Sequence, residues 1–239
     1  MILVEVCIDT AAGLAAALEG GADRIELCSA LALGGLTPSA GLMALAAQAP
    51  IPVRAMIRPR SGHFRFDPAE CDAMLRDIDA VRNAGLEGIV IGATSLSGDL
   101  DLMLLERLAA HARGMAITLH RVVDLLPDPV DAVDAAIALG VSTILTSGGA
   151  AKAIDGIERI AAMQERAGGR VEILAGGGIT ADNAPVILAA TGIGSVHASC
   201  SLPAAPASGR LLELGFETAG RRETDRGLVA ALRQATRPD

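Results

Sequence analysis

Short apolar runs alternate with helical stretches eight times in 239 residues, and this alternation constrains the fold more than any other feature. The runs lie at 2–7, 24–28, 53–57, 88–91, 116–120, 143–146, 171–175 and 194–198. The spacing predicts helices near 10–19, 39–48, 68–84, 101–113, 129–139, 151–167 and 180–190, with an eighth near 222–235. Start signals support several of these: Ser39 follows Thr37-Pro38, Asp67 precedes Pro68, and Asp128 precedes Pro129. Strands that alternate with helices pair in parallel, and eight such units match a (β/α)8 TIM barrel, an α/β fold. An open doubly wound sheet is the rival, but Ile8-Asp9-Thr10 stands where a dinucleotide-binding glycine loop would follow the first strand. The whole of 1–239 therefore reads as a single domain, with 201–221 as an irregular loop or flap after strand eight.

Strand parity then places the polar residues. Side chains alternate faces along a strand. In 2–7 the apolar parity is Ile2, Val4 and Val6, and the other parity carries Glu5 and Cys7. In 24–28 the same division leaves Glu26 and Cys28 opposite Ile25 and Leu27. The apolar parity must pack on helices, so the polar parity points into the barrel. The set continues with Arg54, Met56 and Arg58, then Thr118 and His120, then Ser195, His197 and Ser199. Most of these lie toward strand C-termini, where barrel active sites are built. Glu5 and Glu26 are expected to pair with Arg54 and Arg58, since buried charges need partners. Such a layer also occurs in barrels with no chemistry attached.

Two reaction-capable sets emerge. In one, Arg54, Arg58 and Arg60 bind an anion, Glu5 or Glu26 serves as base, and His120 serves as acid or electrophile. Arg60 lies in Arg58-Pro59-Arg60-Ser61-Gly62-His63, whose charge and donors suit a carboxylate or phosphate. Ser147 and Gly148 after strand six, Gly177 after strand seven, and His197 and Ser199 on strand eight would add donors around that anion. Cys28 and Cys7, with His120 and His197 near, form a second set, of thiols and imidazoles. The chain has neither a CxxC pair nor a methionine cluster.

Composition narrows the partners. A net charge of −8 argues against a phosphate-backbone binder, and three Phe with no Trp or Tyr leave little to stack on bases. No nucleic-acid partner is expected. No apolar run reaches the length of a membrane span, so no membrane partner is expected either. Four widely spaced cysteines and a start directly into a strand suit a reduced, cytoplasmic protein.

The stretches GADRIELC, GGLTPS, IRPRSGHF, TLHRVVD, ILTSGG and ILAGGGI, in this order, resemble the copper homeostasis protein CutC family. The resemblance runs from about residue 2 to 200, and the tail with Glu223-Thr224-Asp225 is compatible with it. It implies a cytoplasmic TIM barrel, a homo-oligomer (dimer or tetramer), linked by name to copper. It ties Cys28, the cysteine of the ELC motif, to Cu(I); Cys7 matches a less regular position. No organic cofactor is expected. Two functions stay open: a copper-binding protein, or an isomerase-, aldolase- or lyase-like enzyme acting on a small anionic metabolite.

Overall fold

Branched apolar side chains at every second position and a turn or cap after each run produce eight short strands. They are β1 (Leu3–Ile8), β2 (Arg24–Leu27), β3 (Val53–Met56), β4 (Gly88–Ile91), β5 (Ala116–Leu119), β6 (Thr143–Thr146), β7 (Glu172–Gly176) and β8 (Ser195–Ala198). In the computed structural model, which describes residues 2–205, 209–216 and 220–237, all eight pair in parallel in chain order. β1 closes on β8, with Leu3 opposite Ser195 and Glu5 opposite His197. The chain is thus a closed (β/α)8 barrel, as the alternation requires.

The helices between strands are α1 (Ala11–Gly20), α2 (Ala40–Ala46), α3 (Pro68–Ala84), α4 (Leu102–His111), α5 (Ala132–Ala138), α6 (Ile157–Ala167) and α7 (Ala184–Thr191). Caps fix their starts. Thr10 accepts from the Gly13 N–H, and Asp67 forms a reciprocal capping box with Glu70. The helix expected over 180–190 begins later, at Ala184, because Asn183 Oδ1 accepts from the Thr180 N–H and holds a turn there. Val4, Val6, Ile8, Ile25 and Leu27 are fully buried between sheet and helices, which makes this annulus the main core.

After β8 the chain forms a two-stranded antiparallel ribbon, β9 (Ser201–Pro203) with β10 (Arg222–Thr224). A short helix, α8 (Gly209–Glu213), lies between them, so the described part of 201–221 holds regular elements. The rest of that segment, 206–208 and 217–219, lies outside the described residues. The eighth barrel helix is α9 (Arg226–Ala235), which packs on α1. The approach is close because Gly20 has no side chain: a Cβ there would lie 2.5 Å from Val229 Cβ.

The inward parity forms layers. The lower one is a closed charge network. Arg24 Nε donates to Glu5, and Arg24 Nη1 donates to Glu172 at 3.0 Å. Thr143 Oγ1 donates to the same Glu172 oxygen at 2.6 Å. Arg54 donates to Thr143 and Thr118 at 2.7 and 2.9 Å and pairs with Glu87 at 2.9 Å. This corrects the expected pairing. Glu5 is matched by Arg24 rather than Arg54, because neighbouring β1 and β2 put them at the same level, Glu5 opposite Arg24. Arg54 is drawn to Glu87 at the start of β4, so it is a structural cation of the barrel floor and does not face the upper cavity.

Candidate functional site

Toward the strand C-termini, β1 delivers Cys7, β2 Glu26, β3 Met56 and β8 His197, and Cys28, Arg58 and His120 follow just past the ends of β2, β3 and β5. A cavity of about 240 Å³ opens there, lined by all of these except Cys28, together with Leu31, Gly34, Phe64, Arg121 and Leu145. At its base, Cys7 Sγ, a Glu26 carboxylate oxygen and a His197 ring nitrogen lie within 4.8 Å of one another, all buried.

His197 links the two layers. Its Nδ1 is 2.7 Å from Glu5 Oε1, and its Nε2 is 3.7 Å from Glu26 Oε2. Burial alone would raise the Glu5 carboxyl. The hydrogen bond with His197 and the charges of Arg24 and His197 outweigh burial and hold it at about 2. Glu5 is therefore ionised and fixes the proton of His197 on Nδ1, which leaves Nε2 aimed into the cluster. Burial disfavours the charged ring, but Glu26, Cys7 and Glu5 raise its pKa well above the ordinary histidine value. Glu26 is the opposite of Glu5: burial, together with the charge of Glu5, raises it.

Cys28 sits beside this cluster. Its Sγ donates to Glu26 Oε2 at 3.6 Å, and it packs with Met56 and Leu31. Burial and the Glu26 charge push its thiol well above the ordinary value. Gly35, at φ +83°, allows the loop to cross it, with a Cβ there only 3.0 Å from Cys28 Sγ. Of the two cysteines expected as metal ligands, the fold brings Cys7 into the histidine cluster and keeps Cys28 one contact behind it.

His120 and Arg58 also line the cavity and meet at Phe64. His120 Nδ1 accepts from the Val122 N–H at 3.1 Å. Burial, with the nearby Arg58 charge, holds its pKa at about 3, so the ring is neutral. A side chain at Gly92 would lie 2.2 Å from His120 Cε1, so that glycine makes room for the ring. Arg58 donates to the carbonyls of Leu33, Gly35 and Gly62 and lies over Phe64 at 4.7 Å.

Other expected site residues are engaged elsewhere. Arg60 pairs with Glu70, donates to the carbonyls of Ser61, His63 and Arg65, and stacks on Phe66, so it pins its own loop. Ser199 is exposed and shares a hydrogen bond with Ser201 at 2.9 Å. At Ser147 and Gly148 the chain supplies its own anion. Asp124 accepts from the Ser147 and Gly149 N–H groups, Ser147 Oγ and Thr146 Oγ1, while Gly148 donates to Thr146 Oγ1. Gly177, at φ +103°, leaves space for the Arg121 guanidinium and is not at a helix start. Arg121, Asp124 and Arg24 were not singled out from sequence. Arg24 shares the parity of Glu26, and that signal was available in RIELC.

A closed parallel barrel with a thiol, a carboxylate and an imidazole gathered toward the C-terminal ends of β1, β2 and β8 defines a TIM-barrel protein with a buried polar cluster where barrel active sites are built. The CutC family model matches residues 2–202. The chain belongs to the CutC family. A CutC family protein of Sinorhizobium medicae is 50% identical over 232 residues, covering 97% of this chain and 95% of that one. One from Caulobacter vibrioides is 50% identical over 238 residues, covering 99% and 97%. The solved structure of a Streptococcus agalactiae protein named for copper homeostasis, CutC, has a TM-score of 0.80 at 33% identity, covering 83% of this chain and 99% of that one. Thiamine phosphate pyrophosphorylase from Pyrococcus furiosus, at 16% identity and a TM-score of 0.60, shares the barrel fold. Among the described residues no helix is long and apolar enough to cross a membrane.

Proposed function

We propose that this protein serves copper homeostasis in the cytoplasm by binding Cu(I) in the barrel mouth. The observation that carries the reading is the buried cluster of Cys7, Glu26 and His197 within 4.8 Å. A thiolate and an imidazole are donors Cu(I) accepts, and the Glu5–His197 hydrogen bond is the carboxylate–histidine support that metal-binding imidazoles use. Cys7 and His197 are the principal donors in this reading. Cys28 is a second thiol that joins only on losing its proton, which burial and Glu26 oppose. The name of the Streptococcus agalactiae neighbour and four free cysteines, the state of a reducing compartment, agree with it.

Metal binding must displace a proton from His197, whose protonated form is favoured. Affinity should therefore rise with pH. The test is an anaerobic Cu(I) competition titration against a strong chelator, on wild type, Cys7→Ser and Cys28→Ser. Stoichiometric binding that falls sharply in Cys7→Ser supports the reading. Weak binding indifferent to both substitutions rejects it.

A further inference from the structure

Three buried polar atoms on residues lining the cavity have no hydrogen-bond partner among the described residues: Arg58 Nε, His120 Nε2 and Glu26 Oε1. Buried polar groups are nearly always paired, so three orphans around one cavity ask for a ligand. The fourth such atom, Arg24 Nη2, belongs to the closed lower layer.

The identity of the orphans defines the ligand. Arg58 is 6% exposed, its other donors face only carbonyl oxygens, and no ion pair for it occurs among the described residues. Its charge therefore lacks a carboxylate, in contrast to Arg24, Arg54 and Arg60, which each have one. His120 accepts at Nδ1, so the neutral ring carries its hydrogen on Nε2 and donates there. Glu26 faces His197 and Cys28 with Oε2, leaving Oε1 as an acceptor. Two donors and one positive charge, on residues that share Phe64 as a neighbour, match a single carboxylate. The Glu26 acceptor on the same cavity matches a hydroxyl on the adjacent carbon. A phosphate dianion would need more donors and would meet Glu26, and the nearby anion cradle is already filled by Asp124.

We propose that the cavity binds a small 2-hydroxy carboxylate, whose carboxylate accepts from Arg58 Nε and His120 Nε2 and whose hydroxyl donates to Glu26 Oε1. At about 240 Å³ the cavity suits a ligand of a few carbons. Phe64 covers the Arg58 guanidinium, which strengthens its hold on a carboxylate by keeping water away. This site shares Glu26 with the copper cluster but requires no Cys7 thiol, so Cys7→Ser, which should leave hydroxy-acid binding intact, separates the two readings.

Calorimetric titration of the metal-free protein under anaerobic reducing conditions tests it, with glycolate, lactate, propionate and inorganic phosphate as probes. Glycolate or lactate should bind at one per chain. Propionate, which leaves Glu26 Oε1 unpaired, should bind about tenfold more weakly or worse. Phosphate should bind no better than propionate. His120→Phe keeps the ring against Phe64 but removes the donor, and should weaken lactate about tenfold while the circular dichroism spectrum stays native. Arg58→Lys should weaken it further, but that change also frees loop carbonyls, so His120→Phe is the decisive variant. No binding of either hydroxy acid at about 10 mM, equal binding of propionate, or undiminished binding by His120→Phe would each overturn the proposal.

Discussion

Glu5 and Glu26 occupy the same parity of adjacent strands, both nearly fully buried, yet the two layers they anchor behave in opposite ways. In the lower layer, Glu5, Arg24, Glu172, Thr143 and Arg54 engage one another, and the Glu5 carboxyl is held at about 2. In the upper layer, Glu26, His120 and Arg58 each keep an unpaired atom, and burial raises Glu26. The lower layer leaves one atom unanswered, Arg24 Nη2, on a guanidinium that already has two carboxylates. The upper one is the same chemistry left incomplete, and incompleteness is what a binding site needs. The count of buried charges would not have told them apart; the count of unanswered donors and acceptors does.

The largest effect should come from breaking the closed layer. Arg24→Met leaves Glu5 and Glu172 without their shared cation, and should lower unfolding stability by about 3–5 kcal/mol in urea denaturation. A loss near zero would mean that the lower layer is no more than filler. Next is the proposed metal site. Cys7→Ser should reduce Cu(I) affinity about 100-fold or more, and Cys28→Ser about tenfold, in the chelator competition. Equal effects would erase the distinction between a thiol in the cluster and one behind it.

Acid titration of stability should sharpen the comparison further. His120 is held at about 3 against an ordinary 6.5, so the folded state refuses a proton that the unfolded chain accepts. Its stabilisation is present above 6.5 and is lost as pH falls toward 3. Glu5, at about 2 against 4.5, adds a second loss as pH falls below 4.5. The urea midpoint should therefore decline in two stages, and His120→Phe should remove the first. A single decline beginning below 4.5 in wild type would contradict the burial of a neutral His120. The smallest effect should be Glu26→Gln, which removes a carboxylate already disfavoured by burial. Stability should stay within about 1 kcal/mol of wild type, and a loss as large as that of Arg24→Met would make the upper layer structural too.

Much of this was legible from alternation alone. The eight strands and the inward parity of Glu5, Cys7, Glu26, Arg58, His120 and His197 follow from period-two patterning, because a closed barrel leaves polar parity only one place to go. The pairings were not legible. They depend on stagger between strands, which placed Arg24 beside Glu5 and turned Arg54 toward Glu87, a residue just outside β4. Nor could residue types say which loop donors were taken. Arg60 looks like an anion binder until Glu70 is seen on the next helix, and Ser147 does until Asp124 arrives from the 3-10 turn after β5.

The closure of β1 on β8 has a consequence in time. Glu5 and His197, hydrogen-bonded at the heart of the site, are 192 residues apart in the chain. While the ribosome is still making β8, Cys7 and Glu26 have already emerged as bare side chains with no imidazole beside them. The cluster thus comes into being only at the last strand, so under the proposed copper reading a metal ion selects finished molecules over nascent ones. Chains stalled before β8 should bind no Cu(I).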